Sequence, residues 1–257
     1  MPTPTVINKF RYSDVINRRY WDQNYFFTEM NVNPANVLLG GGAAAGADAE
    51  TDVMIDSFNT FEYFNIVGNT NLGPKLDGSF GLNLAANAVS THGVEYNTGV
   101  TAENPFGFTI DTSGATTPAF FVKANFKVAT IGGVNPLLIG FRKLQANAAA
   151  LATYTDFSSI GVVGTAGHFQ TETNLSSGGI ITTDTTQIGA NATEFEVAVY
   201  VDQYGNVTYE INGSAPTVVV PYQFANGLVV IPFIRVVQSS TTTATASCNY
   251  WECGFQS

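Results

Sequence analysis

Residues 194–213 read EFEVAVYVDQYGNVTYEING, and this stretch decides the fold. Phe195, Val197, Val199 and Val201 occupy every second position while Glu196, Tyr200 and Asp202 take the alternate ones, the period of a strand with one buried face. Gln203-Tyr204-Gly205-Asn206 then turns the chain, because Gly and Asn tolerate the positive φ of a tight hairpin. Val207, Tyr209 and Ile211 resume the alternation, and Asn212-Gly213 marks the next turn. GLVVIPFIRVV (227–237) and CNYWECGF (248–255) continue in the same manner, so the C-terminal third reads as antiparallel strands. Pro232 cannot donate to a ladder, which predicts an edge or bulged strand for its run. Cys248 and Cys253 lie an odd number of positions apart on one predicted strand. Their side chains are therefore expected on opposite faces, as free and partly buried thiols.

Working outward, AFFVKANFKVAT (119–130) places Phe120, Val122, Ala124, Phe126 and Val128 on one face and Lys123, Asn125 and Lys127 on the other. LLIGFRK (137–143) follows, and the two segments are predicted to pair as a hairpin around Gly132-Gly133. Turn signals at strand spacing (Gly68-Asn69, Asp77-Gly78, Asn104-Pro105, Ser113-Gly114, Asn135-Pro136) indicate a sandwich or barrel. The composition agrees. Among 257 residues, 25 are Gly and only 12% are charged, a mixture poor in helix formers. A chain of this length can form one all-β domain, expected over residues 52–257.

Ahead of it, NKFRYSDVINRRYWDQNYFF (8–27) mixes basic and aromatic residues without a period, and VLLGGGAAAGADAETD (37–52) has the composition of a linker. Residues 1–51 are thus expected to form an extended N-terminal arm and linker. Lys9, Arg11, Arg18 and Arg19 are four of the ten basic residues in a chain of formal net charge −10. A basic arm on an acidic body points to docking on a partner, with Tyr20, Trp21, Phe26 and Phe27 supplying apolar contact.

The charge balance excludes a general nucleic-acid surface, no apolar run reaches membrane-span length, and the N-terminus lacks the pattern of a secretory signal. Catalytic patterns are equally thin. Glu50, Asp52 and Asp56, like Glu194 and Glu196, do not reproduce the Glu-x-Asp-x-x-Glu spacing of laminarinase-like glycosidases, because Ile55 and Val199 interrupt it; both groups read as solvated faces. No Gly-x-Ser-x-Gly elbow occurs, His168 sits in an apparent loop, and GGGAAAG is followed by no Lys-Ser or Lys-Thr for phosphate. His92, His168 and two cysteines do not compose a zinc site, and TTDTTQ (182–187) reads as a Thr-rich polar loop rather than a calcium loop. No enzymatic activity, cofactor or metal is expected. Tyr154, Tyr204, Tyr222 and Trp251 stand near turns as candidate platforms for sugar rings, with Trp251 better placed for the core.

VNPLLIGFRKLQA, TYTDFSSIGVVG, TETNLSSGG, TTDTT, VAVYVDQYGNVTYEING, VVIPFIRV and the closing YWECGFQS together resemble a family of tailed-phage virion proteins of marine and cyanobacterial phages. The resemblance spans residues 52–257, and it implies a concanavalin- or laminin-G-like jelly roll on the capsid surface, synthesised in the host cytoplasm. It implies a decoration or cement protein, multicopy or homo-oligomeric, that binds the major capsid protein through the arm and one face of the sandwich. The alternative is a carbohydrate-binding, lectin-like module of the virion that holds host surface polysaccharide. No catalytic residues come over with the resemblance.

Overall fold

The computed structural model describes residues 8–11, 62–66, 75–76, 82–83, 93–98, 107–114, 117–131, 134–163, 167–238 and 246–256. These form an all-β sandwich of two antiparallel sheets of eight strands each. Sheet I contains β1 (Asn8–Arg11), β3 (Lys75–Leu76), β4 (Leu82–Asn83), β7 (Phe120–Val128), β12 (Glu194–Val201), β13 (Asn206–Ile211), β14 (Tyr222–Gln223) and β16 (Ala246–Phe255). Sheet II contains β2 (Glu62–Ile66), β5 (Gly93–Asn97), β6 (Phe108–Thr109), β8 (Val134–Lys143), β9 (Phe157–Val162), β10 (His168–Asn174), β11 (Ile181–Ile188) and β15 (Val229–Gln238). The strand orders are β14-β13-β12-β7-β16-β4-β3, with β1 also on β16, and β11-β10-β9-β8-β15-β5-β2, with β6 also on β15.

The core lies between the sheets and follows the period-two pattern. Phe195, Val197, Val199 and Val201 of β12 are buried, as are Phe120, Val122, Ala124, Phe126 and Val128 of β7. From sheet II, Leu137, Ile139, Phe141, Ile160, Val162, Val230 and Val236 meet them. Phe108 and Phe120 stack with ring centroids 4.3 Å apart, and Phe141 stands edge-on to both at 5.7 and 5.0 Å. Truncating one of these rings to alanine leaves a cavity that costs about 3–5 kcal/mol. The hairpin β12–β13 forms around the expected turn, with Val201 opposite Val207 and Val197 opposite Ile211. Gly205 at φ 86° and Asn212-Gly213 at φ 51° and 74° make the two expected turns.

Three expectations are corrected. β7 and β8 do not pair with each other: β7 lies between β12 and β16 in sheet I, β8 between β9 and β15 in sheet II. Alternation marks a buried face without saying whether the facing strand is a ladder neighbour or lies across the core. β15 is an inner strand despite Pro232. On the side away from β8, β6 pairs with Val229 and Val230 and β5 with Phe233 to Val237, so Pro232 falls in the break between the two, where no ladder bond is required. Cys248 and Cys253 face the same way. A register shift between Cys248 and Tyr250 inserts one extra residue, and this bulge resets the parity so that both thiols, neither in a disulfide, lie in the core.

At the N-terminus, β1 adds to the edge of β16, with Lys9 opposite Glu252, Phe10 opposite Trp251 and Arg11 opposite Tyr250. The Gly/Ala-rich linker lies outside the described residues.

Candidate functional site

Three loops meet at one end of the sandwich: residues 110–114 after β6, the β12–β13 turn, and residues 223–228 leading from β14 into β15. Asp202 builds the turn. Its Oδ1 accepts the backbone N–H of Tyr204 at 2.8 Å and of Asn206 at 2.9 Å, and its Oδ2 accepts Asn206 Nδ2 at 2.8 Å. In the first loop Asp111 Oδ1 accepts the N–H of Ser113 at 3.0 Å. The third loop ties both neighbours down: Thr112 N donates to Asn226 Oδ1 at 3.0 Å, Phe224 N to Gly205 O at 3.0 Å, and Gln223 Nε2 to Tyr204 O at 3.0 Å.

These bonds hold Tyr204 on the rim. Its ring lies over Gly114, where an added Cβ would come within 2.5 Å of Cε1, so one flank of the ring is seated on backbone. The ring nonetheless remains 44% exposed. An aromatic face fixed from below, on loops that also carry Asp, Asn, Gln and Ser, can take the C–H face of a ring whose hydroxyls meet polar groups. Asp111, Ser113, Asp202, Asn206, Gln223 and Asn226 are polar residues of the same three loops.

The remaining proposed platforms divide differently. Tyr154 and Tyr222 are buried, the latter donating its hydroxyl to Asn174 O at 2.8 Å. Trp251 belongs to β16, but its side chain lies outside the described residues.

Tyr154 serves a second cluster, on the outer face of sheet II beneath the loop 144–154. Arg142 Nε and Arg235 Nη1 donate to the two oxygens of Glu95 at 2.8 and 2.9 Å, and Tyr154 Oη donates to both at 3.0 and 2.9 Å. Arg142 also reaches Asn147 Oδ1 at 2.7 Å and Gln145 O at 3.0 Å, while Arg235 grips the carbonyls of Ala148 and Ala149. All four side chains are buried. Burial, and then the charge of Glu95, push the Tyr154 phenol up to about 12. Both oxygens of this carboxylate are engaged, and the cluster fastens the loop.

His168 is not in a loop: it opens β10, and its Nδ1 lies 2.7 Å from Asp184 Oδ2. The segment TTDTTQ is likewise part of β11, with Asp184 Oδ1 accepting Thr186 N at 2.7 Å. These bonds, led by that to His168, hold the Asp184 carboxyl below its ordinary range. Among the described residues no group of three or more His, Cys, Asp or Glu could hold a metal ion. Glu194 is exposed and Glu196 is half-buried beside Lys123 at 3.4 Å, the outward face expected of both. Of the expected arm contacts, Lys9 and Arg11 fall on β1, while Arg18, Arg19, Tyr20, Trp21, Phe26 and Phe27, like Glu50, Asp52 and Asp56, lie outside the described residues.

No protein-family model matches the chain, and no curated protein matches it in sequence. Solved structures do share its fold. The carbohydrate recognition domain of Emp46p is 5% identical with a TM-score of 0.52, over 78% of this chain and 90% of that one. That of Emp47p is 10% identical with a TM-score of 0.51, over 77% and 90%. The seed lectin of Lotus tetragonolobus is 8% identical with a TM-score of 0.51, over 76% and 92%. The two-sheet sandwich therefore resembles jelly-roll, concanavalin-like folds.

This finding overturns what the phage resemblance implied. The segments that carried it, VDQYGNVTYEING and WECGFQ, are the β12–β13 hairpin and β16, structural strands of a sandwich shared with lectin domains. The decoration role, the major capsid protein as partner, and residence on a virion capsid after synthesis in a host cytoplasm are withdrawn.

Proposed function

We propose that this protein is a non-enzymatic carbohydrate-binding module of lectin type, with the loop end around Tyr204 as its sugar-contacting surface. The observation that carries the reading is Tyr204 itself, an exposed ring seated on Gly114 within a polar frame. The fold likeness to carbohydrate recognition domains supports the same class. Stacking orients a sugar by its apolar face, and the surrounding amides and hydroxyls discriminate among hydroxyl configurations. We also propose an arm over residues 1–51, whose strand β1 lies along β16 of sheet I, ahead of a sandwich body over 52–257, with Lys9, Arg11, Arg18, Arg19, Tyr20, Trp21, Phe26 and Phe27 as auxiliary contacts of the arm.

The test is a glycan array probed with the full chain and with Tyr204→Ala, each checked for fold by circular dichroism. Retention of a glycan by the wild type and its loss from the folded variant supports the assignment. Binding that is equal in both removes Tyr204 from the site, and silence across the array in both removes the carbohydrate reading.

A further inference from the structure

Of the ten basic residues, four fall within the first twenty positions and the other six are Lys75, Lys123, Lys127, Arg142, Lys143 and Arg235. Residues 76–122 and 144–234 therefore contain neither lysine nor arginine. The three loops around Tyr204, at 110–114, 202–206 and 223–228, all fall inside these two runs. They carry carboxylates instead, Asp111 in the first loop and Asp202 in the β12–β13 turn.

The six cations of the body are placed elsewhere. Arg142 and Arg235 are buried on Glu95. Lys123 lies 3.4 Å from Glu196, and Lys127 stands opposite Glu194 in the ladder. Lys75 is on β3, at the end of sheet I opposite β14. Lys143 comes closest along the ladder, opposite Val230 and so just past the third loop, and its ammonium is 3.8 Å from Asp156.

Both carboxylates belong to the framework that seats the ring. Asp202 Oδ1 accepts the N–H of Tyr204 itself at 2.8 Å. Asp111 Oδ1 accepts both the N–H and the hydroxyl of Ser113, the residue before the glycine on which the ring rests. These donors are neutral, so the bonds leave the negative charge in place, and at physiological ionic strength it acts over about 8 Å. The open face of a tyrosine ring attracts a cation as well. At longer range the formal net charge of −10 works in the same direction. A molecule stacked on Tyr204 thus meets groups that favour positive charge and, within the three loops, no side chain that pairs with a negative one.

Taking the carbohydrate reading of the Tyr204 site as its basis, we propose that the ligand is a glycan of amino sugars with free, protonated amines, and that glycans bearing uronate or sulfate are rejected. The ring takes the C–H face of a sugar unit, and the field of Asp111 and Asp202 holds the ammonium.

The experiment is titration calorimetry of the full chain with three oligomers of matched length, of glucosamine, of N-acetylglucosamine and of a uronate, at low and at high salt with the amines protonated. Asp111→Asn and Tyr204→Ala run alongside, each checked for fold by circular dichroism; asparagine keeps the Oδ1 that caps the loop and removes the charge. At low salt the wild type is expected to hold the glucosamine oligomer about tenfold more tightly than its acetylated counterpart. High salt and Asp111→Asn each narrow that margin, Tyr204→Ala abolishes binding, and the uronate gives none. An acetylated oligomer bound as tightly as the free amine, a uronate bound at all, or a margin that survives both salt and Asp111→Asn overturns the proposal and leaves the carbohydrate reading standing. Undiminished binding of the glucosamine oligomer to folded Tyr204→Ala overturns it too, since a general attraction between a polycation and an acidic chain then suffices. If the wild type binds none of the three, the proposal falls, and the glycan array decides whether the carbohydrate reading falls with it.

Discussion

Tyr154 and Tyr204 are the same residue type beside similar polar groups, and the fold uses them in opposite ways. Tyr154 is sealed beneath the loop 144–154, stacked under the Arg142 guanidinium at 4.4 Å and bonded to both oxygens of Glu95. Tyr204 is seated on a glycine with its ring open to solvent. In the first cluster both Glu95 oxygens and the Tyr154 hydroxyl are consumed internally, and the two arginines hold loop carbonyls, so the cluster stabilises a loop. In the second the internal bonds build the turn and leave the ring unoccupied. Residue type alone does not mark a binding platform; what remains uncovered after folding does.

The largest test of this contrast is Glu95→Ala. It leaves two guanidiniums buried without a carboxylate, and breaking such a pair costs about 3–5 kcal/mol. Chemical denaturation is expected to show that loss while the folded fraction keeps its glycan affinity. A stability change below about 1 kcal/mol would mean that the cluster is solvated and the contrast false. Tyr204→Ala is the converse: about a tenfold loss of affinity, or about 1.4 kcal/mol, with the unfolding midpoint moved by no more than about 0.5 kcal/mol, as read by titration calorimetry and by denaturation. A variant with unchanged affinity and lowered stability would make Tyr204 a structural residue too.

Gly114→Ala sharpens the point without touching the ring. At φ 72° a methyl group is strained, and it would push Tyr204 aside, so about 1 kcal/mol of stability and a several-fold share of affinity are expected to fall together. The smallest effect concerns Glu172, a buried acid that lacks the pair of guanidiniums held by Glu95. Burial raises its carboxyl above the ordinary range, although the bond from Thr182 and then the charge of Arg235 offset part of this. A raised carboxyl destabilises the fold where it is ionised and ceases to do so below its unfolded value. Glu172→Gln is therefore expected to raise the melting temperature at pH 7 and to lose that advantage in acid. An advantage that persists in acid would assign the effect to packing.

The hairpin at 194–213 was legible because alternation and two glycine turns are local signals, and β12 and β13 follow them residue for residue. Which strand lies across the core from which was not, as β7 and β8 illustrate, because the facing apolar rows of two sheets look the same as those of one ladder. Pro232 misled because its tolerance depends on where β5 and β6 stop on the neighbouring side. Tyr204 was among the proposed platforms, but so were Tyr154 and Tyr222, and only burial by distant segments separates them. The Glu95 cluster gave no signal, since its members stand 47, 59 and 140 positions from the glutamate. Asp184 and His168 meet across the β10–β11 ladder beside a register shift, an arrangement with no local motif.

The bulge at Asn249 has a consequence for the chemistry of the intact protein. Because it turns both thiols inward, Cys248 and Cys253 are buried in the core, and burial drives both well above the ordinary thiol range. Oxidants and alkylating reagents meet no thiolate on the folded molecule. Labelling then waits for the strands to part, so the two sulfurs act as an internal clock for opening of sheet I, read by mass spectrometry without any introduced probe.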